Sequence, residues 1–119
     1  MLKAKLLIKG NVGKIESSFT PNGDRLTKFS VAVNFGKDDK KETDWHYCTA
    51  WGKLAELIDN LVDVGTHVLI EGEFRLKKWT DKNGNEKLSP ELTVRDFDVL
   101  AKGKKKSEPS DDEPEYMKD

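Results

Sequence analysis

Short apolar and polar runs alternate along most of the chain, separated by turn-forming residues. Residues 2–12 contain Leu6-Leu7-Ile8 and Gly10, and Gly13 follows, which predicts a strand that bends at its glycines and continues through 15–19. Pro21-Asn22-Gly23-Asp24 predicts a turn, because Asn-Gly accepts positive φ at little cost. Phe29, Val31, Val33 and Phe35 occupy every second position, the period of a half-buried strand, and the polar stretch 36–43 reads as a loop. A third strand follows over 44–51, with Trp45, Tyr47, Thr49 and Trp51 on one face and His46, Cys48 and Ala50 on the other. From Lys53 the period lengthens. Leu54, Leu57, Ile58 and Leu61 follow the i, i+3, i+4, i+7 spacing of a helix, with Gly65 as its C-terminal cap.

Residues 68–79 return to strand periodicity. Val68, Ile70, Phe74 and Leu76 share one face with Gly72, while Glu71, Glu73, Arg75, Lys77 and Trp79 share the other. Residues 80–86 form a hairpin tip, and Pro90 opens a last strand over 92–100. The apolar phase of that strand slips between Val94 and Phe97, which predicts a bulge near Arg95-Asp96. Five antiparallel strands with one helix between the third and fourth describe an all-β protein with the five-stranded Greek-key barrel of the OB-fold. An SH3-like barrel, which usually lacks an amphipathic helix at that point, is the second choice.

The pattern stops near residue 101, so the folded domain is read as 1–101 and 102–119 as a short disordered acidic tail with almost nothing to bury. Charge follows the same division. Over the whole chain the net charge is -1, but residues 107–119 alone hold six acids and one base, leaving a mildly basic body. The aliphatic runs are too short to span a membrane, the N-terminus is unlike a signal peptide, and the single Cys48 excludes an intrachain disulfide. A soluble, cytoplasmic chain without a membrane partner is expected.

Catalytic chemistry finds little to work with. Gly10-Asn11-Val12-Gly13-Lys14 has two residues between its glycines where a phosphate-binding loop needs four. His46 and Cys48 share a strand face but lie about 7 Å apart along it, too far for a nucleophile–base pair, and no third group orients them. His46 is read as packed inside or at a subunit contact, and His67 as a loop or strand-start residue without a partner. Two histidines and one cysteine cannot supply four zinc ligands. No cofactor, metal or enzymatic activity is expected.

Three tryptophans carry the positive signal. The alternation on the third strand leaves open whether Trp45 and Trp51 fill a small barrel or face solvent. On the fourth strand Trp79 is in phase with charged residues and therefore points outward, beside Arg75, Lys77 and Lys78. An exposed tryptophan among cations suits an unstacked nucleobase, whose π-face lies on the indole while Lys or Arg neutralises the neighbouring phosphates. Lys28 and Lys82 belong to the same set of candidate phosphate contacts.

These residues also carry a resemblance. DWHYCTAWGKLAE (44–56), VLIEGEFRLKKWTDKNG (68–84) and PNGDRLTKFSVAV (21–33) are similar, in order and spacing, to bacterial-type single-stranded DNA-binding proteins. The resemblance covers about residues 1–101. It implies an OB-fold, assembly as a homotetramer, and single-stranded DNA wrapped over the surface during replication, recombination and repair. By position it implies that Trp45, Trp51 and Trp79 are stacking aromatics. Phe35 is the nearest counterpart of a further aromatic after the second strand, although its phase with Phe29, Val31 and Val33 equally suits the core.

Such proteins commonly end in a long linker and an acidic tip closing on proline and phenylalanine, which docks replication and repair enzymes. Here the linker is short, and Asp111, Asp112, Glu113, Pro114 and Tyr116 supply acidity and an aromatic without the terminal phenylalanine. The departure puts that docking in doubt and suits a phage- or plasmid-borne version. A dimer, an RNA-binding or primosome-accessory role, and an OB-fold used for protein contacts are the alternatives that the sequence leaves open.

Overall fold

The computed structural model describes residues 3–103, so the acidic stretch 107–119 and the tail residues named above lie outside the described residues. Five strands run in the order β1 (Lys5–Phe19), β2 (Arg25–Phe35), β3 (Glu42–Trp51), β4 (His67–Thr80) and β5 (Glu86–Ala101), with one helix, α1 (Gly52–Leu61), between β3 and β4. They close into a barrel in the order β1-β2-β3-β5-β4. A closed ring with an odd number of strands cannot alternate direction all the way round. One pair must therefore be parallel, and it is β3 with β5, at Cys48↔Leu92 and Thr49↔Thr93. Expecting every pair to be antiparallel was wrong at this seam alone.

Alternation fills the interior as the sequence suggests. Phe29, Val31, Cys48, Ala50, Val68 and Ile70 are buried and meet in one core. β1 is long enough to pair with β4 through its first half and β2 through its second. Its register shifts between Val12 and Lys14, where Gly13 provides the bend. The slip anticipated in β5 is also present: Glu71 faces Asp96 while Gly72 faces Val94, leaving Arg95 as the extra residue. Arg95 Nη2 donates to Glu73 Oε2 at 3.0 Å, and this contact holds the Glu73 carboxyl below its ordinary value.

Several local expectations are corrected. The buried stripe of α1 is Ala55 and Ile58, continued by Val62 just beyond it, while Leu57 and Leu61 are exposed. The helix is rotated because Asp59, on its barrel-facing flank, is tied down by polar groups. Its Oδ1 accepts from Ser17 Oγ at 2.6 Å and Thr27 Oγ1 at 2.7 Å, and its Oδ2 accepts from Arg25 Nε at 2.9 Å. The helix ends at Leu61 with Val62 as its cap, and Gly65 lies in the following turn, where its N–H donates to Val12 O at 2.7 Å. β5 begins at Glu86 and runs straight through Pro90, which faces Leu76. Proline is tolerated there because β4 and β5 extend past the barrel as a two-stranded ribbon with free edges. Leu76, in phase with the core, is consequently exposed on that ribbon. His67 does have a partner, with Nδ1 lying 2.9 Å from Asn11 Oδ1.

Asp59 sets a measurable pH dependence. Burial opposes its ionisation, but the hydrogen bonds from Ser17, Thr27 and Arg25 outweigh burial and hold the carboxyl below its ordinary value of 3.8. A carboxyl whose folded value is depressed contributes stability that is present above its unfolded value and is lost as pH falls through the folded one. Asp59→Ala leaves the buried Thr27 hydroxyl only a long contact to Ala55 O, at 3.5 Å, and is expected to cost about 1–3 kcal/mol at neutral pH. Thermal melts of parent and variant should converge as pH drops below about 4. A difference that stays constant down to strong acid would rule out this role for the carboxylate.

Candidate nucleic-acid interface

The outer face of β2 and β3 follows from their register. Ala32 faces Trp45, Ser30 faces Tyr47, Lys28 faces Thr49 and Leu26 faces Trp51, while the alternate residues point into the core. Burial of Cys48 and Ala50 resolves the direction left open by the sequence: the aromatic side of β3 is the solvent side. Trp51 is 48% exposed and Tyr47 56% exposed. Trp51 stands at the end of β3, where the chain reverses into α1 through Gly52 at φ +61, a left-handed conformation that suits glycine. Trp45 is half-buried. A Cβ at Gly13 would collide with the Trp45 ring, so the glycine bend in β1 is what lets this indole lie against the sheet.

A groove of about 480 Å³ crosses the outer face of β1, β2 and β3 as far as the start of β5, lined by Lys14, Glu16, Lys28, Ser30, Tyr47, Thr49, Pro90 and Glu91 among others. Two lysines flank one side of the exposed phenol, and the start of the β4–β5 ribbon forms the other. On the ribbon, Arg75 faces Glu91, Lys77 faces Ser89 and Trp79 faces Lys87, so these six side chains share one face. Trp79 is 47% exposed, and its Nε1–H donates to Ser89 Oγ at 2.7 Å. Pro90 and Glu91, neighbours on opposite faces of the ribbon, both line the groove, so the base of the ribbon meets the β2–β3 surface beside Tyr47. The ribbon tip is closed by Asp81 Oδ1, which accepts from the backbone N–H groups of Asn83 and Asn85, both at 2.9 Å, and Lys82 sits in this turn.

Trp45, Trp51 and Lys28 thus lie on the outer face of β2 and β3, while Trp79, Arg75 and Lys77 share one face of the ribbon, with Lys82 in its terminal turn. Two other candidates lie elsewhere. Lys78 faces Leu88 across the ribbon and projects from the face opposite Trp79, since neighbouring strand residues alternate sides. Phe35, 44% exposed, ends β2 in phase with the core residues and lines a separate recess with Asn34, Gly36, Lys41, Glu42 and Thr43 at the mouth of the β2–β3 hairpin. Tyr47 was not singled out from sequence, although its phase with Trp45 and Trp51 is the signal that finds it.

Nothing in this surface resembles a reaction centre. Burial pushes the Cys48 thiol up to about 12, so it stays protonated and unreactive at neutral pH. Among the described residues no group of three or more His, Cys, Asp or Glu side chains is placed to hold a metal ion, and no helix is long and apolar enough to cross a membrane.

Known structures share this architecture. The chain superimposes on the mitochondrial single-stranded DNA-binding protein Rim1 of S. cerevisiae with a TM-score of 0.70 at 21% identity, covering 87% of this chain and 100% of that one. It is also similar to Plasmodium falciparum SSB, solved in complex with ssDNA, with a TM-score of 0.74 at 25% identity, covering 84% of this chain and 96% of that one. The five-stranded barrel with one helix is thus an OB-fold. Residues 4–100 match the Single-strand binding protein family, and with its barrel and exposed aromatic surface the chain belongs to that family.

Proposed function

We propose that this chain binds single-stranded DNA without marked sequence preference by laying successive bases on Trp51, Tyr47 and Trp79, while Lys28, Arg75, Lys77 and Lys82 neutralise the phosphates between them. The observation that carries this reading is exposure: Tyr47, Trp51 and Trp79 are each about half open to solvent, with Lys28 on the sheet face of the first two and Arg75 and Lys77 on the ribbon face of the third. Every base offers a π-face, so such a surface tolerates sequence. The solved complex of Plasmodium falciparum SSB with ssDNA supports the same ligand class.

The proposal extends to the setting. Protection and organisation of single strands in replication, recombination and repair is the role that suits a sequence-tolerant binder of this family. Assembly as a homotetramer belongs to the same reading, and Leu7, 63% exposed on the stretch of β1 away from the aromatic surface, is an apolar residue that such a contact would cover. The test is a titration with a thymidine homopolymer at two ionic strengths. Tryptophan fluorescence should be quenched, and log affinity should fall with log salt by about 0.7 for every phosphate neutralised. A chain that shows no quenching and no salt-dependent affinity does not bind in this way.

A further inference from the structure

The position of Trp79 raises a question that the rest of the surface does not. Trp51 leads into a packed helix, and Trp45 rests on the glycine bend of β1, so the barrel constrains both. Trp79 instead stands one residue from the end of a two-stranded ribbon, with Thr80↔Glu86 the last pair before the turn. No core lies beneath it. An indole 47% exposed in such a place gains little from packing, and free rotation would have to be given up each time a base stacked on it.

One contact restrains it. Lys77 faces Ser89 and Trp79 faces Lys87, so Trp79 and Ser89 are diagonal neighbours on the same ribbon face. The separation of such a diagonal pair is within reach of an aromatic side chain. The indole Nε1–H, the only polar handle on the ring, donates to Ser89 Oγ at 2.7 Å. That bond draws the ring across the ribbon toward β5, between Lys77 and Lys87, rather than letting it swing beyond the tip. Holding a side chain in its bound arrangement beforehand removes part of the ordering cost of association.

We propose that Ser89 is a positioning residue for DNA binding: its hydroxyl holds the Trp79 indole ready to receive a base, without contacting DNA through a charge. The inference rests on the stacking role of Trp79 and goes beyond it by assigning a function to the serine. Alanine at 89 leaves the cations and the indole in place and removes only the tether. Threonine keeps a hydroxyl at the same position and should restore it.

The test uses the full chain with the variants Ser89→Ala, Ser89→Thr, Trp79→Ala, Trp79→Phe and the double variant Ser89→Ala/Trp79→Phe, titrated with a fluorescently labelled thymidine oligonucleotide. Ser89→Ala is expected to weaken binding by about 3- to 10-fold, the scale of ordering one side chain. Ser89→Thr should bind like the parent. In the Trp79→Phe background, Ser89→Ala should have no further effect, because phenylalanine has no N–H to tether. The salt slope of Ser89→Ala should equal that of the parent, since no phosphate contact is lost. In proton NMR the Trp79 indole N–H should be slow to exchange in the parent and fast in Ser89→Ala.

The outcomes separate the two claims. If Trp79→Ala, which removes the ring, binds as tightly as the parent, the stacking role of Trp79 fails and the positioning role falls with it. If Trp79→Ala weakens binding but Ser89→Ala does not, stacking stands and the positioning role is overturned. An equal loss for Ser89→Ala with and without Trp79 also overturns it, since the serine then acts independently of the indole.

Discussion

Trp51→Ala combined with Trp79→Ala is expected to weaken binding of a thymidine oligonucleotide more than any other pair of surface changes in this chain. Each stacked base contributes about 1–3 kcal/mol on an aromatic side chain, so the two losses together amount to roughly 2–6 kcal/mol, or thirtyfold and upward. Near-additivity is expected because the residues lie on different elements and share no hydrogen-bond partner: Trp51 ends β3, and Trp79 is tied to Ser89 on the ribbon. The fold should survive, since both rings are about half exposed and neither removal opens a cavity in the core. The salt dependence should hardly change, because Lys28, Arg75 and Lys77 remain. Anisotropy of a labelled oligonucleotide reads the affinity directly. A double variant within twofold of the parent would show that the bases lie elsewhere.

The second large effect concerns stability. Ile58 is fully buried at the centre of the α1 stripe, among the largest side chains sealed from solvent. Ile58→Ala should cost about 2–5 kcal/mol, from lost burial together with the cavity left beneath a helix that closes one end of the barrel. Set against a total folding stability of about 5–15 kcal/mol, that is a substantial fraction. Leu57→Ala and Leu61→Ala provide the contrast. Both are leucines of the same helix, 45% and 47% exposed, and each should change stability by only about 0.5 kcal/mol. Urea unfolding measures all three, with the midpoint falling only for Ile58→Ala. Equal losses at 57 and 58 would mean that the helix packs through a different face.

That contrast marks where the sequence was legible and where it was not. Strand periodicity was sufficient to find β2, β3 and β4, because alternation in a barrel wall puts one phase inside, although on β3 it did not say which. Glycine and the slipped phase in β5 located both bends. Helix periodicity was less informative. Leu54, Leu57, Ile58 and Leu61 form an apolar stripe on paper, yet Asp59 anchors to Arg25, Ser17 and Thr27, which are distant in sequence, and that polar anchor sets the rotation. No local pattern contains it. Pro90 misled for a related reason, since its tolerance depends on a free edge that exists only once β4 and β5 outrun the barrel.

The site was read with similar limits. Trp79 pointed outward by phase alone, and Trp51 emerged once Cys48 and Ala50 were seen to fill the interior. Lys78 was grouped with Trp79 by proximity in sequence, where strand geometry separates them. Tyr47 shares the phase of Trp45 and Trp51, and that phase is the one local signal that marks it. Ser89 could not be found from the sequence, because its relation to Trp79 depends on the hairpin register.

The parity of the barrel has a last consequence. β4 and β5 are zipped from His67↔Ala101 to Thr80↔Glu86, whereas β3 and β5 meet only at Cys48↔Leu92 and Thr49↔Thr93. This short hem is the place where the wall can breathe without unravelling its longer ladders. Tyr47 lies on one side of it and Glu91 on the other. If bases lie on Tyr47 and on the ribbon as proposed, this seam is where their spacing would adjust to the uneven stride of a flexible polynucleotide, since fewer backbone bonds hold it than any other join in the wall.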